Sequence, residues 1–188
     1  FDGIWCSYDD GPNGNSSVVS IATAGIGATS NSTQCMRGEA TLHLVAATNS
    51  DQLFAGIATK LTPYSNDVPQ AVSDLSSTTG IKGLSFWLRG NGTKVSVVLK
   101  SFAITNYDDY LYTIDHTPSN GWRKYNLLFT DFAQEGWGNE AVERDTALRL
   151  VNVIQFKFAS KLDGEHSVVY VDDVALFGGD KHYLPHVV

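Results

Sequence analysis

Short runs of β-branched, aromatic and alternating apolar residues, cut by Gly, Asn, Asp and Ser, recur from one end of this sequence to the other. That rhythm restricts the chain to β architectures. It predicts strands at 17–23, 39–47, 54–60, 83–89, 94–101, 110–114, 122–129, 151–159 and 167–177. Strands of this size and number bury their apolar faces most simply as two packed sheets, an all-β sandwich. No long amphipathic helix competes, although the mixed-charge segment 139–150 has room for a helical turn, and no fixed period marks a repeat architecture. The 188 residues, 43% hydrophobic and 11% aromatic, fit one domain spanning 1–188 with a sizeable core. With 17 Gly against 5 Pro, the connections read as turns and not as Pro-rich linkers.

Alternation assigns side chains to faces, because successive residues of a strand point to opposite sides. In VNVIQFKFAS, Ile154, Phe156 and Phe158 share the core side, and Gln155 and Lys157 project from the sheet, where an amide and an ammonium reach a ligand. In SVVYVDDVALFG the same rule groups Val169, Val171 and Asp173, and sets Val168, Tyr170, Asp172 and Val174 opposite. An acid in so apolar a strand requires compensation. GLSFWLRGNGTKVSVVL reads as a hairpin turning at Asn91 and Gly92, with Phe86 pairing near Val97.

Charge and composition narrow the partners. Asp and Glu number 20 against 13 Lys and Arg, a net charge of -7 without a basic cluster, so nucleic acid is not an expected partner. Neutral ligands such as sugars are not opposed by that charge. No stretch approaches the roughly 20 apolar residues of a membrane helix, so membrane insertion is not expected, and the lack of a leader before Phe1 fits a mature or excised domain. Cys6 and Cys35 either pair, closing a loop worth about 3 to 4 kcal/mol, or stand as separate buried thiols. Asn15, Asn31 and Asn91 begin Asn-x-Ser/Thr triplets, which are glycan acceptors in a secreted eukaryotic protein and chance occurrences otherwise.

Aromatic residues supply the main functional signal. Trp5, Tyr8, Tyr107, Tyr110, Tyr112 and Trp137 lie in polar, glycine-containing surroundings, unlike Phe86 and Phe156 in their apolar runs. An exposed ring stacks on the apolar face of a pyranose while Asp, Asn and Gln bind its hydroxyls; the competing role is plugging the ends of a sandwich. Trp122 and Trp87 read as packing residues. Acids at both ends of the chain offer calcium the hard oxygens it takes, with Asp2 and Asp173 as expected ligands, against an ordinary surface role. Glycoside hydrolysis needs two carboxylates across a scissile bond, and no compact acidic constellation provides them; Asp108 and Asp109 point to opposite faces if extended. GxSxG and HExxH are absent, and His43 in TLHLV reads as a hydrogen-bonding strand residue.

The segments WCSYDDG, GLSFWLRGNG, GWRKYNLLFTDFAQEGWG, VIQFKFAS and YVDDVALFG, in this order over nearly the whole chain, resemble the galactose-binding-like jelly-roll carbohydrate-binding modules, especially family 11 and related modules of bacterial β-glucanases. The resemblance implies a jelly roll with a concave sheet receiving one β-glucan chain, β-1,4 or mixed-linkage, and a structural Ca2+ near the termini. It further implies a covalently linked catalytic domain as partner and a secreted or cell-surface location. Tyr8 resembles the family's sugar-facing tyrosine, and Asp109 resembles a polar cleft position before the strand around Tyr112. Gln134 and Trp137 occupy a loop that supplies a polar group and a stacking ring, and Gln155 and Phe158 fall in a cleft strand. For Phe158 this opposes the alternation, and only a bulge reconciles the two. Leu53 stands where the glucan-binding pattern favours tyrosine. A fold of this kind also serves assembly, so a structural or protein-interaction module is the alternative to sugar recognition, and a hydrolase with paired carboxylates is the third.

Overall fold

The computed structural model of the chain describes residues 5–11, 15–29, 32–45, 53–61, 73–91, 94–115, 117–119, 121–138 and 140–178. Within them, ten strands form two five-stranded antiparallel sheets. The first sheet is ordered β1 (Trp5–Asp9), β4 (Leu53–Lys60), β9 (Val151–Ser160), β6 (Val95–Ser101), β7 (Tyr110–Ile114). The second is ordered β2 (Val18–Gly25), β3 (Gln34–Thr41), β10 (His166–Phe177), β5 (Gly83–Gly90), β8 (Arg123–Leu128). Among the described residues one α-helical turn, α1 (Arg144–Leu148), and 3-10 turns at Ser77–Thr79 and Phe129–Asp131 interrupt the strands; the first turn of α1 is capped by the Glu143 carboxylate accepting from Thr146 N–H at 2.9 Å. The architecture is the expected two-sheet sandwich, consistent with a jelly roll of the galactose-binding-like kind.

The core lies between the sheets. Ile154, Phe156 and Phe158 of β9, flanked by Ala55 and Ile57 of β4 and by Val95, Val97 and Leu99 of β6, form its first wall. Leu84, Phe86 and Leu88 of β5 with Val169 and Val171 of β10 form the second. Phe86 meets Phe156 edge-on at 5.2 Å across the gap, and Trp5 stacks on Phe156 at 6.1 Å. Each buried ring of this size contributes about 1.5 to 3 kcal/mol. Trp5 is thereby a core residue, although its polar flanks placed it among candidate ligand contacts.

Several expectations are corrected. The segment 83–101 is not a hairpin: β5 pairs with β10 and β8, and β6 pairs with β9 and β7, so the connection at Asn91 crosses between sheets. Asn91 anchors that crossing to Val168, its N–H donating to the Val168 carbonyl at 3.0 Å and its side-chain oxygen accepting from Val168 N–H at 2.6 Å. In β10 the alternation breaks at a bulge between Asp172 and Ala175, where Asp173 takes a left-handed conformation (φ 47°). The extra residue turns Val174 and Leu176 into the core and leaves Asp173 exposed. The buried acid is Asp172, compensated by N–H donors from Ala28 (2.6 Å) and Asp173 (2.8 Å).

The two thiols are unpaired. Cys6 is exposed on the outer face of the first sheet. Cys35 is fully buried on the outward side of β3, its Sγ donating to the Ile26 carbonyl at 3.8 Å. Sheets pack roughly 10 Å apart, whereas a disulfide needs Cα atoms within about 7 Å, so opposite outer faces exclude the bridge. Asn15 is buried, a position that leaves no room for a glycan, and Asn31 lies outside the described residues.

Candidate functional site

The outer face of the first sheet brings together residues remote in sequence. Strand register sets Tyr8, Gly56, Lys157, Ser96 and Thr113 side by side across β1, β4, β9, β6 and β7; the next row is Cys6, Ala58, Gln155, Val98 and Leu111. Five strands at the usual spacing make this face about 19 Å wide. Gly56, Ala58, Ser96 and Val98 are buried between larger neighbours, and Tyr8, Gln155 and Lys157 stand over them half-buried.

Tyr8 keeps its place because Gly56 has no side chain: a Cβ there would lie 2.5 Å from the Tyr8 hydroxyl and 2.6 Å from the Phe156 carbonyl. The ring adjoins Phe54, at 6.4 Å between centroids. Its hydroxyl is buried without a hydrogen-bond partner among the described residues, and burial, with the nearby Cys6 and Asp109, pushes its pKa well above the usual tyrosine value. Leu53 is a core residue, and the neighbouring Phe54 supplies the ring on this face instead.

Asp109 and Lys100 add charge. Lys100 Nζ bonds Asp109 Oδ2 at 2.6 Å, and Asp109 Oδ1 is buried without a hydrogen-bond partner among the described residues. Burial raises the Asp109 pKa, opposed by the bond from Lys100 and by Lys157. Lys157, at the centre of β9, has its pKa lowered by burial, partly offset by Glu135 and Asp109.

Two loops rim the β7 side. Asp108 organises both: its carboxylate accepts from the N–H groups of Glu135 (2.9 Å), Gly136 (2.9 Å) and Gly138 (3.2 Å), and Asn106 Oδ1 receives its N–H at 3.1 Å. Tyr107 (76% exposed) and Trp137 (58% exposed) project from these loops. Lys100 Nζ lies 5.2 Å from the Tyr107 ring centre, and the Trp137 indole donates to Glu135 Oε2 at 3.3 Å. Gly136, at φ 86°, gives the second loop its left-handed turn.

Of the residues expected to meet a ligand, Tyr8, Asp109 and Gln155 share this face and Trp137 stands at its rim. Gln134 is held within the loop, Nε2 donating to the Asp108 carbonyl at 2.6 Å and Oε1 accepting from Val142 N–H at 2.9 Å, so it shapes the rim. Tyr110 (9% exposed) faces the core and donates its hydroxyl to the Val142 carbonyl at 2.8 Å. Phe158 is 1% exposed; the β4–β9 register runs unbroken past it, so no bulge turns it outward and the alternation, not the resemblance, places it correctly. Phe54, Lys100 and Glu135 escaped the sequence reading. Phe54 and Lys100 lie at outward positions of apolar strands, and Glu135 reaches Lys157 only through the fold. Asp2 is outside the described residues.

A five-stranded face with rings, amide and charges, backed by a second sheet, is the class of structure in hand. No family model matches the chain, and no curated protein matches it. Solved structures do share its fold. The family 11 carbohydrate-binding module of a cellulosomal cellulase of Clostridium thermocellum is 17% identical, with a TM-score of 0.58 over 97% of this chain and 94% of that one. The family 11 module from Clostridium thermocellum in complex with a β-1,3-1,4-mixed-linked tetrasaccharide is 18% identical, with a TM-score of 0.56 over the same shares, 97% and 94%. A family 30 module of another cellulosomal cellulase of Clostridium thermocellum is 14% identical, with a TM-score of 0.54 over 86% and 83%.

Proposed function

We propose that this chain is a non-catalytic carbohydrate-binding module that receives a β-glucan chain, β-1,4 or mixed-linkage, on the outer face of the β1-β4-β9-β6-β7 sheet. The observation that carries the reading is the gathering of Tyr8, Gln155, Lys157 and Asp109 on one face, with exposed Tyr107 and Trp137 at its rim. Rings offer stacking planes, and Gln155, Lys157 and Asp109 offer donors and acceptors for hydroxyls. A module of the same fold holds a mixed-linkage tetrasaccharide, and two such modules belong to cellulosomal cellulases, which supports a linked hydrolase and a secreted or cell-surface setting. On this face Asp109 is bound to Lys100 and Glu135 accepts from the Trp137 indole, so among the described residues neither carboxylate is held free across a groove as hydrolysis requires.

Affinity electrophoresis against soluble glucans, xylans and mannans tests the reading: glucan retards the protein, and retention by none of them at high polymer concentration refutes it. A structural Ca2+ belongs to the same proposal. Asp173, exposed on the β10 bulge where it accepts from Thr29 Oγ1 at 3.4 Å, offers a hard oxygen, with Asp2 as second carboxylate. Chelation by EDTA lowers the melting temperature by several degrees, and added calcium restores it, since a bound ion stabilises the folded state; an unchanged melt removes the ion.

A further inference from the structure

The proposed glycan face presents cations on a chain that is acidic overall. The whole chain has a net charge of -7, yet Lys60, Lys100 and Lys157 occupy outward positions of this one sheet. The acids acting on Lys157 are Glu135 and Asp109. Asp109 is engaged by Lys100 at 2.6 Å, and Glu135 accepts from the Trp137 indole at 3.3 Å.

Lys157 is different. It stands mid-strand on β9, the central strand of its sheet, among Gly56, Ser96 and Gln155, half-buried, and takes part in none of the ion pairs among the described residues. Glu135 and Asp109 lie close enough to favour its charge but not to bond it. A partly desolvated ammonium without a bonded anion is unfavourable for the fold alone, and a carboxylate compensates it more fully than a neutral hydroxyl, because charge-assisted hydrogen bonds are about twice as strong.

Resting on the reading of this face as a glycan site, we infer that its ligand bears carboxylate groups along the sugar backbone, one meeting Lys157 with Lys100 alongside. The protein's overall negative charge does not forbid this, since charges beyond the screening length of about 10 Å at 0.1 M salt scarcely act.

Two polymers with one β-1,4-glucan backbone decide the matter: carboxymethyl cellulose, which carries carboxylates, and hydroxyethyl cellulose, which is neutral. The expected result is about tenfold tighter retention by the carboxymethyl polymer at about 0.1 M salt, the scale of one charge-assisted bond. The ratio falls as salt rises toward 0.5 M, where the screening length is about 4 Å, but stays above one because a partly buried contact is screened less than an exposed one. Lys157→Gln abolishes the preference and Lys157→Arg keeps it, with melting curves confirming that both are folded. Equal or tighter retention by the neutral polymer overturns this inference and leaves the glycan site standing; retention by neither overturns both. The two-polymer comparison on the unaltered protein decides even where a variant fails to fold.

Discussion

On the outer face of the second sheet, Arg89 lies 4.3 Å from the ring centre of Tyr170 and 4.8 Å from that of Trp122, and those rings meet edge-on at 6.5 Å. Arg37 beside them bonds Glu39 at 2.8 Å, and Glu39 meets His166 at 3.0 Å. On the outer face of the first sheet rings and cations stand further apart: among the described residues Lys157 has no bonded anion, Tyr8 Oη and Asp109 Oδ1 have no hydrogen-bond partner, and Tyr107 and Trp137 face solvent, whereas Arg89 Nε and the Trp122 indole nitrogen, also without hydrogen-bond partners, belong to side chains stacked on one another. The contrast separates residue type from residue use. Where cation and rings stack on one another, the cluster staples strands together; where they stand apart, as on the proposed binding face, the rim rings stay accessible.

The largest effect expected from this contrast is on stability. Trp122→Ala removes the ring that covers Arg89 and lowers unfolding free energy by about 2 to 3 kcal/mol, measured by denaturant titration, with glucan affinity unchanged; an affinity loss without a stability loss reverses the assignment of the two faces. Trp137→Ala does the opposite, weakening glucan binding about tenfold while the melting temperature stays within about 2 °C, which calorimetry and a thermal melt read together.

A smaller effect concerns Lys157. Its folded-state pKa is lowered, so as pH rises toward the ordinary lysine value the unfolded chain holds more protons than the folded one, and stability increases with pH in that window. Lys157→Met therefore flattens the alkaline part of the stability profile and leaves the neutral melting temperature equal or higher; a lower one shows that the ammonium already has a stabilising partner. The smallest effect is on the thiols. Cys6 reacts with maleimide in the native protein and glucan slows it, Cys35 reacts only on unfolding, and a reductant leaves the melt unchanged. A reductant-sensitive melt contradicts the placement of the two cysteines on opposite faces.

Much of the sandwich was legible in the sequence because burial on one side of a strand imprints a period of two. VNVIQFKFAS shows this directly, its inward and outward residues standing as alternation placed them. The failures have physical reasons. WCSYD is a short edge strand whose apolar and polar residues do not alternate clearly, so β1 went unseen. Two adjacent strands with a turn signal between them look the same whether they pair or face each other across a core, which misled the reading of 83–101. The bulge at Asp173 inverts the pattern locally, and nothing in YVDDVALFG announces it. Within the candidate site, Tyr8, Gln155 and Trp137 were visible as polar-context rings and an outward amide, whereas Tyr110 and Gln134 were misassigned because a hydroxyl or amide spent on a backbone partner has no sequence signature.

The central claim is that one outer face, and not the other, meets the glycan. Titrating the isotopically labelled protein with a cello-oligosaccharide, and following backbone, Lys157 side-chain and Trp137 indole resonances, tests it most directly. Shifts concentrated on Tyr8, Phe54, Gln155, Lys157, Asp109 and the Trp137 indole are the predicted result; shifts concentrated on Arg89, Trp122 and Tyr170, or none at saturating sugar, contradict it.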